Sequence, residues 1–346
     1  MRAVVFVEAG RVRIDDVADP AIETGGDAVI RVTRAGICGS DLHLFHGKAP
    51  LYEGEGMGHE AVGVIESIGG QVRSANVGDR VVVSFTVACG SCWFCAAGQT
   101  GLCEEAAIFG TGMFGGSLPG AQAERLRVPH ADVNLRKVPD GIDDERALFV
   151  SDVLTTGVYA ADLAGLTGGE TVAVIGAGPV GVACAQALAA AGPAAVFLLD
   201  RDPTRLAFAA TSGATPIHVE KHNPQMALAE VTGDRGADVV IDAVGSPAAF
   251  TTALDVVRRG GRVVVVGLYA GETVEAQLGV YWSRGLDLRF AGPCPVHTYW
   301  DRAMRGLADG SLDPSPLVSH RLGLDEAQRG YELFASRAAT KVVLVP

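Results

Sequence analysis

The sequence predicts an α/β protein of two parts, a mainly β domain interrupted by a doubly wound parallel sheet. Three observations lead there. The chain has 346 residues, more than most single cores hold, which suggests about two domains. From Gly168 onward, short apolar strands alternate with helical segments, the pattern of a parallel sheet covered on both faces. Before about residue 150 and after about Phe290 the texture is instead β-branched strands and glycine turns, so the helix-rich part is inserted within the β-rich part.

The elements follow in order. MRAVVFVEAGRVRIDD alternates like an edge strand, and DAVIRVTRAG, EAVGVIESIGG, GDRVVVSF and QAERLRVP each read as a strand bounded by turn residues. In the insert, TVAVIG leads to the helix PVGVACAQALAAA and AVFLLD to PTRLAFAATSG. TPIHV then leads to NPQMALAEVT, and ADVVIDAVG to PAAFTTALDVVRR. GRVVVVG precedes a longer connection that ends in LDLRFAG. Beyond it, helices are expected over Tyr299–Ala308 and Leu324–Ser336, then a terminal strand KVVLVP.

Composition narrows the partners. A hydrophobic fraction of 48% with 45 glycines and few aromatics suits a compact α/β chain. The net charge of -12 repels polyanions, so neither nucleic acid nor an acidic membrane surface is an expected partner. The uncharged run Val172–Leu199 is nominally long enough to span a bilayer, but Gly176–Pro179 and Gly192–Pro193 divide it, which makes it buried structure. The N-terminus carries no long apolar segment or cleavage site. Seven cysteines in such a chain point to thiols or metal ligands in a reducing compartment, the cytoplasm.

Gly176-Ala-Gly178-Pro179-Val180-Gly181 follows a strand, opens a helix, and is followed by Asp200 at the end of the next strand. That is the full context of a dinucleotide-binding fingerprint. Glycine lets the main chain approach a pyrophosphate at a helix N-terminus, where free N–H groups favour negative charge. A carboxylate at Asp200 accepts hydrogen bonds from both ribose hydroxyls and repels a 2'-phosphate, which favours NAD; the adjacent Arg201 argues for NADP.

Cys89, Cys92, Cys95 and Cys103 are spaced C-x2-C-x2-C-x7-C among turn glycines. Four thiolates on a short loop suit a closed tetrahedral zinc site, an iron–sulfur cluster being the alternative. GICGSDLHLFHG crowds Cys38, Ser40, Asp41, His43 and His46 together, and GMGHEAVG brings His59 and Glu60 at the start of another strand. A turn whose polar side chains face water would explain the first segment alone. A cysteine, a histidine and a carboxylate from separate elements could instead form an open zinc site. Cys184, in an apolar helix, reads as core, and Cys294 has no evident partner.

GICGSDLH, GHEAVG, the four-cysteine lobe, the inserted nucleotide-binding unit and the closing KVVLVP together resemble the zinc-dependent medium-chain alcohol dehydrogenases, over essentially the whole chain. PGAQAERLRVPHADVNLRKVPD and LFVSDVLTTG look most like the branch of formaldehyde-dehydrogenase-like, polyol and bacterial secondary-alcohol enzymes. The resemblance implies a GroES-like catalytic domain over 1–152 and 290–346 and a Rossmann domain over 153–289. It makes Cys38, His59 and Asp152 ligands of a catalytic zinc, with Asp152 where many members have a second cysteine. Glu60 becomes a carboxylate behind the metal that can swing onto it, the rival assignment being Glu60 as the permanent ligand with Asp152 capping the helix that begins near Val153, and Asp41 becomes the residue that orients His59. Ser40 and His43 become a proton relay, Thr156 a neighbour of the nicotinamide, and Phe85 part of the substrate channel.

The resulting expectation is reversible oxidation of an alcohol to an aldehyde or ketone, with two zinc ions and NAD, in a homodimer or homotetramer. A zinc-free enoyl or quinone reductase of the same fold, or a non-catalytic binding protein, are the rivals. Residues near Phe109 to Phe114, Leu268 and Pro293 are further candidates to line the pocket. His46, His130, His218, His222, His297 and His320 are expected at the surface without a role.

Overall fold

The computed structural model describes residues 1–111 and 117–346, and these form two compact units, Met1–Thr155 with Pro293–Pro346, and Thr156–Gly292. Positions 112–114, among the expected pocket residues, lie outside the described residues.

The first unit is built on a seven-stranded sheet. Its centre is the strand Ala28–Ile37, which pairs antiparallel with Glu60–Ile68 and, near its C-terminal end, with Lys341–Val345. Register decides what meets at that end: Gly36 lies opposite both Glu60 and Val343. Cys38, just past the first strand, therefore stands beside His59, just before the second, and beside Lys341, which opens the third. Near-continuous burial along these strands, with Leu126 of the neighbouring strand Arg125–Val128, supplies a core that includes Ile30, Ile37, Ile65, Val342 and Leu344. Phe109 is fully buried in this same core, so it supports the unit from within and does not line a pocket.

The second unit is a six-stranded parallel sheet. Its strands are β1 (Thr171–Ile175), β2 (Ala195–Asp200), β3 (Thr215–His218), β4 (Ala237–Asp242), β5 (Val257–Val265) and β6 (Asp287–Phe290). They lie in the order β3-β2-β1-β4-β5-β6, the doubly wound arrangement whose strand order reverses between β1 and β4. The run Val172–Leu199 resolves into β1, the helix Pro179–Ala189 and β2, and no single helix among the described residues is long and apolar enough to cross a membrane.

Helix boundaries differ from expectation: the helix expected over Leu324–Ser336 opens as a 3-10 turn, Leu324–Glu326, before the α-helix Ala327–Ala335. Val257–Arg259 belong to β5, because the preceding helix stops at Val256 and Gly260, at φ +67°, turns the chain within the strand. The helix expected from Tyr299 starts at Val296, just after Pro295. PTRLAFAATS tightens after Leu206 into a 3-10 turn, Ala207–Ser212.

Candidate active site and metal centres

GICGSD folds as a tight turn before the short helix Asp41–Phe45. Asp41 reaches back so that its Oδ2 accepts the Cys38 backbone N–H at 2.8 Å, and its own N–H donates to the Cys38 carbonyl. Its other oxygen, Oδ1, stands 3.0 Å from His59 Nδ1, close enough to pair with the ring although not aligned as a formed hydrogen bond. Asp41 is fully buried. The Ser40 hydroxyl is not spent on capping the helix and lies 3.4 Å from His59 Nε2. His43 sits on the same short helix, half-buried, one turn beyond Ser40, while His46 is exposed.

Asp152 arrives from a different part of the chain. It follows the 3-10 turn Phe149–Ser151 and precedes the helix Val153–Ala164. Its Oδ2 stands 3.5 Å from Cys38 Sγ and 3.5 Å from His59 Nε2. Ligand atoms of Cys38, His59, Glu60 and Asp152 all lie within 4.8 Å of one another, and all four side chains are buried. A tetrahedral zinc with bonds of about 2.0–2.3 Å separates its ligand atoms by roughly 3.4–3.8 Å. The Cys38, His59 and Asp152 atoms fit that size. Phe85 meets His59 edge-on with ring centroids 5.9 Å apart, which puts its ring at the rim of the cluster.

Burial and crowded charge perturb Cys38 and His59. Burial, with the Asp152 charge, pushes the Cys38 thiol up. Burial alone would depress His59, but the Asp41 charge and the close approach of Asp152, Asp41 and Cys38 hold it well above the ordinary histidine range. A cation at the centre of this donor set would reverse the logic, since thiolate and carboxylate are the forms that ligate it.

Glu60 is placed differently from Asp152. Its Oε2 pairs with the ammonium of Lys341, both side chains being at most 1% exposed, and its Oε1 has no hydrogen-bond partner. A Cβ on residue 36 would overlap Glu60 Oε2, so Gly36 is what gives this carboxylate its room. Lys341 was not foreseen from sequence, although a lysine opening the apolar strand KVVLV is an available signal. Gln122 is a further unforeseen residue: it donates to the Gly36 carbonyl at 2.9 Å and accepts from the buried Tyr331 hydroxyl at 3.0 Å.

The four cysteines form a second group, likewise within 4.8 Å. Cys92 Sγ and Cys103 Sγ are 3.9 Å apart, close to the edge of a zinc–thiolate tetrahedron, about 3.8 Å. Backbone N–H groups of Ser91 and Cys92 point at Cys89 Sγ, and those of Cys89 and Glu105 at Cys103 Sγ. These bonds favour thiolate. Cys89 is accordingly lowered to about 6, by the Ser91 N–H first, whereas burial pushes Cys95 up to about 12.

His297 corrects the expectation of a surface residue. The imidazole is half-buried and bridges the lobe to the short helix Ala131–Asn134: Nδ1 is 2.8 Å from Thr100 Oγ1 and Nε2 is 2.9 Å from Asn134 Oδ1. Asn134 Oδ1 also accepts the Ala88 N–H, so Nε2 is the donor and Nδ1 accepts from the threonine. His218 is also a correction, since its Nδ1 is buried at the end of β3, whereas His130 and His222 are exposed and His320 is half-buried.

In the second unit the three fingerprint glycines have separate reasons. Gly176 has φ +96°, with Val244 Cγ2 2.6 Å from where a Cβ would be. A Cβ at Gly181 would overlap the Gly176 carbonyl oxygen, so the helix packs directly on the turn. Gly178 meets only Arg205 Nη1, at 3.7 Å, which leaves its backbone open to a pyrophosphate. Pro179 and Val180 continue into the helix, half-buried. Asp200 ends β2 with Oδ2 accepting the Ala177 N–H at 2.7 Å and Oδ1 the Asp202 N–H at 2.9 Å. The carboxylate is thereby fixed against the glycine turn. Arg201 is exposed, and Arg205, which sequence reading passed over, is the basic side chain beside Gly178. Thr156 lies half-buried on the helix Val153–Ala164.

A GroES-like sheet bearing a Cys/His/carboxylate cluster, a four-thiolate lobe and a doubly wound dinucleotide unit together define a metal-dependent, nicotinamide-linked dehydrogenase. The comparisons agree. Residues 24–140 match the alcohol dehydrogenase GroES-like domain and residues 179–291 the zinc-binding dehydrogenase domain. A probable zinc-binding alcohol dehydrogenase of Mycobacterium tuberculosis is 42% identical, with 99% of this chain and 87% of that protein covered. An uncharacterized zinc-type alcohol dehydrogenase-like protein of Bacillus subtilis is 36% identical, with both chains fully covered. The solved alcohol dehydrogenase from Thermus sp. ATN1 superimposes with a TM-score of 0.94 at 44% identity, covering 100% and 99% of the two chains. The chain belongs to the zinc-dependent medium-chain alcohol dehydrogenase family. It is an oxidoreductase acting on small-molecule alcohols.

Proposed function

We propose that this enzyme interconverts an alcohol and its aldehyde or ketone with NAD as the hydride acceptor, using one catalytic and one structural zinc per chain. The observation that carries the reading is Asp152 Oδ2, 3.5 Å from both Cys38 Sγ and His59 Nε2. Cys38, His59 and Asp152 would hold the catalytic ion, and Cys89, Cys92, Cys95 and Cys103 the structural one. Bound zinc supplies Lewis acidity, which makes an alcohol hydroxyl easier to deprotonate, and bound NAD supplies the hydride acceptor.

The chain's own residues do the rest. Asp41 steadies the His59 ring from its Nδ1 side, which leaves Nε2 for the metal. Ser40 Oγ, on the ligand-bearing side of that ring, takes the proton from the substrate hydroxyl, and the His43 imidazole one turn on passes it to solvent. Glu60, paired with Lys341, adds negative charge behind the site without occupying a ligand position. Phe85 gives the substrate an apolar wall. In the dinucleotide unit, the turn Gly176–Gly181 and the helix from Pro179 receive the pyrophosphate, Thr156 borders the nicotinamide, and Asp200 receives the adenosine ribose. Asp200 is fixed by two backbone donors and so presents its charge where a 2'-phosphate would come, which favours NAD over NADP with Arg201 exposed beside it.

The assembly proposed is a homo-oligomer. β6 is an open edge of its sheet, and Phe290 on it, with Leu278 and Trp282 on the helix Leu278–Ser283, is 70–86% exposed. An open strand edge flanked by large apolar side chains suits a second copy of the chain. Thiolates committed to metal require a reducing environment, so the cytoplasm is the compartment proposed.

The test is Asp152→Asn beside Glu60→Gln, with zinc content and turnover measured on both. Asn keeps size and hydrogen bonding but loses the anion, so Asp152→Asn is expected to lose most catalytic zinc and orders of magnitude in turnover while Glu60→Gln keeps its metal. An active Asn variant holding two zinc ions would overturn the ligand assignment.

A further inference from the structure

The loops that follow β4 and β5 are fastened to each other by one pair, a buried aspartate and a half-buried tyrosine. Asp242 ends β4 opposite Ile175 of β1, at the place where the strand order reverses, and is fully buried. Its Oδ1 accepts the N–H groups of Val244 at 2.9 Å and Gly245 at 3.2 Å. Its Oδ2 accepts the Tyr269 hydroxyl at 2.6 Å, and the same hydroxyl lies 3.1 Å from the Ser246 carbonyl. The Asp242 carbonyl accepts the N–H groups of Val266 and Gly267. No side chain fits between these loops: a Cβ at Gly245 would lie within 2.7 Å of Leu268 N and C, and one at Gly267 would overlap Gly245 N.

The fastened loop carries Val244, which is 46% exposed although apolar and lies against the first glycine of the fingerprint, with Cγ2 2.6 Å from the Cβ position of Gly176. In a doubly wound sheet the dinucleotide crosses the carboxyl ends of the strands at the reversal point. Asp200 marks the β2 side as the adenosine side, so the other half of the cofactor falls on the side of β4 and β5. With donors on both oxygens, Asp242 has no proton-transfer duty. Burial and the Asp242 charge raise Tyr269 above the ordinary tyrosine range, which keeps its hydroxyl a donor.

We propose that Asp242 and Tyr269 are positioning residues that hold loop 243–246, with Val244 beside Gly176, as the platform for the nicotinamide half of NAD. This rests on the dinucleotide reading above. The test is calorimetric binding of NAD and of AMP, which reports the adenosine half alone, to wild type, Tyr269→Phe and Asp242→Asn. Loss of a hydrogen bond to a buried carboxylate predicts ~10-fold weaker NAD binding in Tyr269→Phe, with AMP affinity unchanged. Asp242→Asn keeps an acceptor for Val244 and Gly245 but loses the one for the hydroxyl, so it is expected to reproduce the split. Unchanged NAD binding, or equal losses for NAD and AMP, overturns the proposal. A wild-type protein that binds neither overturns the dinucleotide reading and this inference with it.

Discussion

Acid stability should depend on a histidine outside both metal groups. Burial holds His297 at about 4, against its ordinary 6.5, so the unfolded chain takes up this proton before the folded one. Stability is therefore complete above pH 6.5 and falls as pH drops from 6.5 toward 4, where the unfolded state binds more protons. At pH 5 the imbalance is worth about 2 kcal/mol. For a unit of this size that corresponds to a fall of roughly 4–8 °C in Tm. His297→Gln carries a donor and an acceptor for Asn134 and Thr100 but does not titrate. Thermal unfolding of both proteins at pH 7 and pH 5 isolates the term, since acid effects on the cysteines are common to both. The variant is expected to show the smaller acid drop by that amount. Equal drops would refute the reasoning, because they would mean that the imidazole is hydrated or already charged in the folded state.

Asp200→Gly removes both the ribose acceptor and the repulsion of a 2'-phosphate while Arg201 and Arg205 remain, so kcat/KM for NAD relative to NADP is expected to fall about tenfold or more; an unchanged ratio sinks the role given to Asp200. Trp282→Glu puts a charge on the exposed apolar patch beside the β6 edge and should lower the mass seen in sedimentation equilibrium. A monomeric wild type would refute the edge-to-edge assembly.

What the sequence made legible was local or periodic. The alternation of strand and helix from Gly168, and a glycine fingerprint whose flanking strand, helix and Asp200 all lie within one stretch, announce the dinucleotide unit. The four cysteines were legible for the same reason, because a short loop must bring them together wherever it lies. Helix ends were less so: nothing in Val257–Arg259 marks a helix stop, and only the pairing of Val257 with Ala237 of β4 and the left-handed Gly260 set them in a strand. His297 was misread because its partners, Thr100 and Asn134, are distant in sequence, and nothing local to VHTYW reports that the ring is half-buried.

The candidate active site lies between these extremes, and Lys341 shows where the limit falls. Cys38, His59 and Asp152 carried their chemistry in their names, but their meeting depends on pairing Gly36 with Glu60, a register that the hydrophobic alternation constrains only by parity. The same register, extended to the C-terminal strand, buries a lysine against Glu60. Its charge there is stable only because burial, which opposes it, is outweighed by Glu60 and the neighbouring anionic groups. Glu60 is raised by burial and held down chiefly by Lys341, so each charge is tolerable because of the other. Under the proposed ligand set, an ammonium committed to Glu60 Oε2 would disfavour that carboxylate in competition with Asp152 for a metal between Cys38 and His59. The proposed division of labour between the two carboxylates would thus rest on a residue near the far end of the chain, which no motif around either of them reports.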